Sequence, residues 1–155
     1  MKKKFPQYAV IILDKRILFN ELLKYLYKFN IKKIVILNFT NTKLDPNEIK
    51  KYKFDFNIHN FKKKKFRFSD LFLENTLKKI KSNFFLLKTS KFINLNLFNL
   101  FKKFNQKSNR LILNVVSIKK RLKNTEIYIL NKNKLKKYNF NFNKLKNNKD
   151  YILNF

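Results

Sequence analysis

Tyr8-Ala9-Val10-Ile11-Ile12-Leu13, then Leu18, Leu22, Leu23, Leu26 and Phe29, then Ile34-Val35-Ile36-Leu37: the apolar spacing of these three runs sets the fold class. The first run is continuously apolar, rich in β-branched residues and too short for a core helix, so it reads as a strand buried on both faces. The leucines that follow fall at i, i+4, i+5 and i+8, with Phe29 at i+11. That spacing predicts one face of a helix of about four turns, with Lys24 and Lys28 outside it. Ile34 to Leu37 reads as the next buried strand. Outward from there the pattern repeats. Phe84 to Leu87, Leu111 to Val116, Ile127 to Leu130 and Tyr151 to Leu153 read as strands. Leu71, Leu73, Leu77 and Ile80, behind Ser69 as N-cap with Asp70 in the first turn, predict a second helix. Leu97, Leu100, Phe101 and Phe104 predict a third, with Lys102 and Lys103 suited to its C-terminal end. Strands alternating with helices predict an α/β fold: a three-layer domain with a mostly parallel sheet, one domain over residues 1–155. Residues 40–67 mix Asn, Lys and Phe without a clean period and contain Pro46; they read as an irregular basic insertion.

Composition narrows what such a domain can do. The chain of 155 residues carries 38 Lys+Arg against 9 Asp+Glu, a net charge of +29, yet it is 45% hydrophobic with 19 Phe and 7 Tyr. That apolar content excludes wholesale disorder despite the charge. Cysteine is absent and His59 is the single histidine, which removes disulfides, thiolate metal sites and most His-based acid/base sets. Glycine is absent too, so neither the P-loop nor the dinucleotide fingerprint can exist, because both need glycine where backbone approaches phosphate. The abundance of Lys, Asn, Ile, Phe, Leu and Tyr fits drift in an AT-rich genome, which inflates lysine. Scarce Asp and Glu are not explained by that drift and point to a selected positive surface. Residues 75–155 hold 20 basic and 2 acidic side chains, a net +18; the first 74 hold 18 and 7, a net +11.

A self-repelling surface of this kind suits a polyanion, and nucleic acid is the usual one. No apolar run approaches the roughly 20 residues a bilayer requires, and Lys2-Lys3-Lys4 precedes too short an apolar stretch for a signal peptide. The densest cluster is Lys62-Lys63-Lys64-Lys65-Phe66-Arg67, just before the second predicted helix. Phe61, Phe66 and Phe68 interleave with its cations, an arrangement in which rings stack on unpaired bases while cations hold phosphates. Catalytic sets are not evident. Asp70 and Glu74 complement a helix dipole, His59 has no acid or second His at motif spacing, and Ser69, Ser82, Ser90, Ser108 and Ser117 lack a base.

From Lys64 to the C-terminus the chain resembles the large-subunit ribosomal protein four family. Lys64-Lys65 precedes the predicted helix 69–81 and then Phe84 to Leu87. Leu97 to Phe104 and Leu111 to Val116 are similar to the family's next helix and strand. Arg121-Leu122-Lys123-Asn124 precedes Ile127 to Leu130 much as a short helix end precedes a strand there. Residues 139–145 and 149–153 resemble its final helix and strand. In place of the family's glycine-rich loop the chain has a shorter, glycine-free segment, residues 31–60. The resemblance implies a non-enzymatic constituent of the large ribosomal subunit without cofactor or small-molecule substrate, partnered by ribosomal RNA and neighbouring ribosomal proteins. It further implies a cytoplasmic ribosome of a reduced-genome bacterium, or an organelle. Lys62, Lys63, Lys64, Lys65, Arg67 and Arg121 would neutralise phosphates.

The N-terminal part is similar to another family, the sugar-phosphate nucleotidyltransferases. Asp14-Lys15, Leu18, Tyr25-Leu26 and Ile31 to Ile36 resemble the segment after that family's Pro-Lys motif, and Phe84 to Leu87 the strand before its metal-binding Asp. Here Lys88-Thr89-Ser90 stands where the family has Gly-Asp, and the Gly-rich nucleotide loop is absent. This resemblance implies an inactive relative.

Overall fold

The apolar run opening the chain forms β1 (Tyr8–Leu13), and the leucine-spaced segment after it forms α1 (Phe19–Lys28), which buries Phe19, Leu22, Leu23, Tyr25 and Leu26. β2 (Lys33–Asn38) follows and lies parallel to β1, Ala9 beside Ile34 and Ile11 beside Ile36. The structure is a computed structural model that describes residues 4–62, 65–67, 80, 83–92, 96–106, 112–117, 123–130 and 152–154. Further along come α2 (Pro46–Lys50), β3 (Asp55–Asn60) and β4 (Phe84–Lys88). A 3-10 turn at Thr89–Lys91, α3 (Leu97–Gln106), β5 (Ile112–Ser117), β6 (Lys123–Leu130) and β7 (Ile152–Asn154) complete them.

The strands form one sheet in the order β3-β2-β1-β4-β6-β5-β7. Its first four strands are all parallel. β6 then runs antiparallel to both β4 and β5, and β7 is parallel to β5. Ala9, Ile11, Leu13, Ile34, Ile36, Phe85 and Leu87 share one core cluster with α1, with Ile49 of α2 and with Leu97 and Phe101 of α3. Val10, Ile12, Leu37, Phe84 and Leu86, which alternate with them and face the other way, are equally buried. Strands β1, β2 and β4 are thus dry on both faces, as in a three-layer α/β architecture. Each fully buried Ile, Leu or Phe contributes about 1.5–3 kcal/mol, so the residues of β1, β2 and β4 stabilise the fold strongly.

Residues 40–67 correct the sequence reading. Residues 45–60 are not irregular but complete a second strand-helix-strand unit with β2. Asp45 accepts a hydrogen bond from the Asn47 N–H at 2.9 Å and Pro46 occupies the first turn, so the proline that reads as a breaker starts α2. β3 pairs with β2 over its whole length. Its apolar residues Phe56 and Ile58 alternate with Asn57 and His59, which makes it a half-buried edge strand. β3 ends at Asn60, and the described residues 61, 62 and 65–67 beyond it lie in neither helix nor strand. Lys123 and Asn124, expected at a helix end, already belong to β6. The helices expected at 69–81 and 139–145 lie outside the described residues, except Ile80, which is buried.

Without glycine, left-handed backbone falls to other residues. Asn30 (φ 57°) ends α1, where the Ile31 N–H reaches the Leu26 carbonyl and the Asn30 N–H that of Tyr27, a Schellman closure with Asn in the usual glycine place. Lys53 (φ 56°) turns the chain into β3, its N–H bonded to the Lys50 carbonyl at 2.8 Å. No helix among the described residues is long and apolar enough to cross a membrane.

Candidate functional site

In open α/β sheets, ligands bind outside the carboxyl ends of the strands, where the strand order reverses. Here the order runs 3-2-1 and then jumps to 4, so that place lies between β1 and β4. Two short segments meet there: residues 14–18, all that separates β1 from α1, and the 3-10 turn after β4.

A polar network of the chain's own groups fills this place. The Thr89 side chain is fully buried, and its Oγ1 accepts from the backbone N–H of Asp14 at 3.2 Å and of Lys15 at 3.1 Å. The same hydroxyl donates to Asp14 Oδ1 at 2.9 Å, with the Ile12 carbonyl 3.4 Å away. Asp14 Oδ1 also accepts from the Ser90 N–H at 2.9 Å, and Asp14 Oδ2 from the Ser90 hydroxyl at 2.5 Å. Lys88 Nζ stands 3.8 Å from Asp14 Oδ2. Burial pushes the Asp14 pKa up, but the hydrogen bonds from Ser90 and Thr89 and the charge of Lys88 outweigh it. The carboxyl is held below its ordinary value and stays ionised. Beside it Arg16 Nη2 contacts both carboxylate oxygens of Glu48, tying the β1–α1 link to α2, while the Arg16 guanidinium lies 5.0 Å from the Phe19 ring centre.

The neighbouring strand ends are closed in the same manner. Asn38, 1% exposed, donates to the Thr42 carbonyl and to Asn60 Oδ1, and its own oxygen accepts from the N–H and hydroxyl of Thr40. All four hydrogen-bonding positions of that amide are used. Among the described residues, no three His, Asp or Glu side chains gather as a metal would require.

The residues expected to hold phosphates lie elsewhere. Lys62, Lys65 and Arg67 are exposed beyond the carboxyl end of β3, at the sheet edge and two strands from the β1–β4 junction. Phe61 stacks on Phe39 there, ring centres 4.6 Å apart and planes 10° apart, and Phe66 meets Phe39 edge-on at 5.9 Å. Lys63, Lys64 and Arg121 fall outside the described residues. Half-buried His59 sits in β3 opposite Leu37. Sequence reasoning missed the Asp14, Thr89, Ser90 set as a unit, although the signal was present. Asp14 and Lys88-Thr89-Ser90 each end a run read as a buried strand, and adjacent parallel strands bring such ends together.

No protein-family model matches the chain, and no curated protein matches it. Among solved structures it is similar to the inositol-1-phosphate CTP transferase from T. maritima, with a TM-score of 0.50 at 14% identity, over 88% of this chain and 76% of that one. At that identity the likeness is one of fold: the chain shares an α/β architecture with that structure, and its own strand-order junction is bridged by Asp14, Thr89, Ser90 and Lys88.

Proposed function

We propose that the chain is a non-catalytic protein of nucleotidyltransferase-like fold that docks on RNA through its cationic surface. One observation carries the non-catalytic part: the carboxylate at the strand-order junction is spent on Thr89, Ser90 and Lys88. A group tied to three internal partners has few lone pairs left for a metal ion or an incoming nucleotide. The glycine-free sequence supports the same reading, since no backbone approach to a triphosphate of the P-loop kind can be built. Calorimetric titration with nucleoside triphosphates and magnesium tests it. No saturable binding is expected; metal-dependent saturable binding overturns it.

The net charge of +29 supports the RNA part. On this reading the RNA is that of the large ribosomal subunit, and the protein works as a structural constituent beside other ribosomal proteins. Lys62, Lys65 and Arg67 neutralise phosphates without reading sequence. Co-sedimentation with large subunits at low salt and release at high salt is the expected result. Free migration of the native protein at low salt overturns the ribosomal assignment and leaves the non-catalytic assignment standing.

A further inference from the structure

β1, β2 and β3 begin in register at Tyr8, Lys33 and Asp55. α1 runs back from the carboxyl ends and delivers its last turn to this amino end, and the turn after α2 arrives beside it, where the Asp55 N–H bonds the Lys32 carbonyl at 3.0 Å. Lys28, Lys32, Lys33, Lys50, Lys51 and Lys53 are all exposed here. Among the described residues the one acid at this end is Asp55, and Lys33 pairs with it at 3.3 Å. Asp14, Glu21, Asp45 and Glu48 all belong to the carboxyl end.

Two of the three large apolar side chains that are most exposed among the described residues lie at the same end: Tyr27 at 57% and Phe98 at 52%. Both rings are braced from behind. Tyr27 rests on Tyr52 (5.8 Å between centres) and Phe54 (6.5 Å), with Lys51 Nζ 5.2 Å from the centre of the Tyr52 ring. Phe98 rests on Phe5 (4.5 Å) and Phe29 (5.4 Å). Residues 27 and 29 are two apart along α1 and its cap, so their side chains leave on opposite sides. The braced rings thus flank the helix end, separated by exposed Lys28 and Asn30. A pocket of about 150 Å³ opens round the corner at Tyr8, Lys33, Asp55 and Asn57.

Resting on the RNA reading above, we infer that this amino end is a platform for single-stranded RNA, at the opposite end of the strands from Lys62, Lys65 and Arg67. Tyr27 and Phe98 stack on unpaired bases, and Lys28, Lys32 and Lys51 around them hold the phosphates. Rings fixed by other rings lose little conformational freedom when a base stacks on them. Duplex RNA presents no free base faces to such rings. A lipid surface would favour a continuous apolar face, whereas these two rings are interrupted by a lysine and an asparagine.

The full chain is titrated with a labelled oligouridylate across a salt series, beside phosphatidylserine vesicles. Tyr27→Ala and Phe98→Ala should each weaken oligouridylate binding roughly tenfold, while Tyr27→Phe binds as the native chain does. Lys28→Gln/Lys32→Gln/Lys51→Gln should reduce the slope of log affinity against log salt by about 2. Tyr27 is mostly exposed, so its alanine variant stays folded and keeps the test decisive even if Phe98→Ala does not. Ring variants that bind normally, while Lys62→Gln/Lys65→Gln/Arg67→Gln binds weakly, overturn the platform and spare the RNA reading. Ring-dependent binding to the vesicles in preference to oligouridylate overturns the platform as well. Failure of the native chain to bind oligouridylate at low salt defeats both.

Discussion

Asp14 and Lys33 belong to neighbouring parallel strands, one just past the carboxyl end of β1 and the other opening β2 at the amino end. Their surroundings differ. Asp14 is enclosed by Thr89, Ser90 and Lys88, and nearby Asn38 by Thr40, Thr42 and Asn60. Lys33 pairs with a carboxylate that is itself 66% exposed, and lysines on every side of it face water. At the β1–β4 junction polar groups serve the fold; at the amino end exposed lysines outnumber the one described carboxylate, Asp55. Substitutions in the β1–β4 junction should therefore cost stability, whereas substitutions of the exposed amino-end lysines should leave it nearly unchanged.

The largest effect is expected at Thr89. Thr89→Val keeps the shape but strands the N–H groups of Asp14 and Lys15, and should destabilise the chain by about 3 kcal/mol in denaturant titration. A loss under about 1 kcal/mol would mean that water replaces the hydroxyl and that the carboxyl end is less closed than described.

Asp14→Asn comes next, at about 2 kcal/mol, since the bonds to its charged form are the stronger kind. It also carries a pH signature. The folded-state pKa of Asp14 lies below the unfolded value of about 3.9. Its contribution is therefore complete above that value and is lost as pH falls through the lower, folded one. The native chain should lose stability on acidification by more than Asp14→Asn does; equal acid sensitivity would remove Asp14 from the account.

Smaller effects belong to the amino end. Lys53→Gly relieves a left-handed residue with a Cβ and should stabilise by up to about 1 kcal/mol, read as a raised Tm. Lys28→Gln/Lys32→Gln/Lys51→Gln should leave stability within about 0.5 kcal/mol. A large loss of stability there would show these lysines to be structural and would erase the contrast between the two ends.

Much of this architecture is legible in the residues. Tyr8 to Leu13 is β1 to the residue, and Leu97 to Phe104 lies within α3, because continuous apolar runs and helical spacing are the direct imprint of burial. β3 is hidden in Asp55 to Asn60 because an edge strand buries only alternate residues, here Phe56 and Ile58, among polar ones. α2 is hidden because five residues are too few to show a period, although Asp45-Pro46 is a helix-start pair. The candidate site was the hardest to see. Asp14 and Thr89 are ordinary residues in sequence and become a unit only when β1 and β4 pair. The dispersed lysines at the amino end are not legible as a set in the sequence, because only the meeting of α1 with the turn after α2 brings them together.

The Thr89 hydroxyl joins residues 75 positions apart in the chain. A contact spanning that distance closes a long loop, and its entropic cost favours formation after the local strand-helix-strand units are assembled. The junction is thus a late latch in folding and an early point of release in unfolding. The loss in Thr89→Val should then appear chiefly as faster unfolding, with the refolding rate nearly unchanged. The lifetime of the native chain would then depend in part on this one buried hydroxyl.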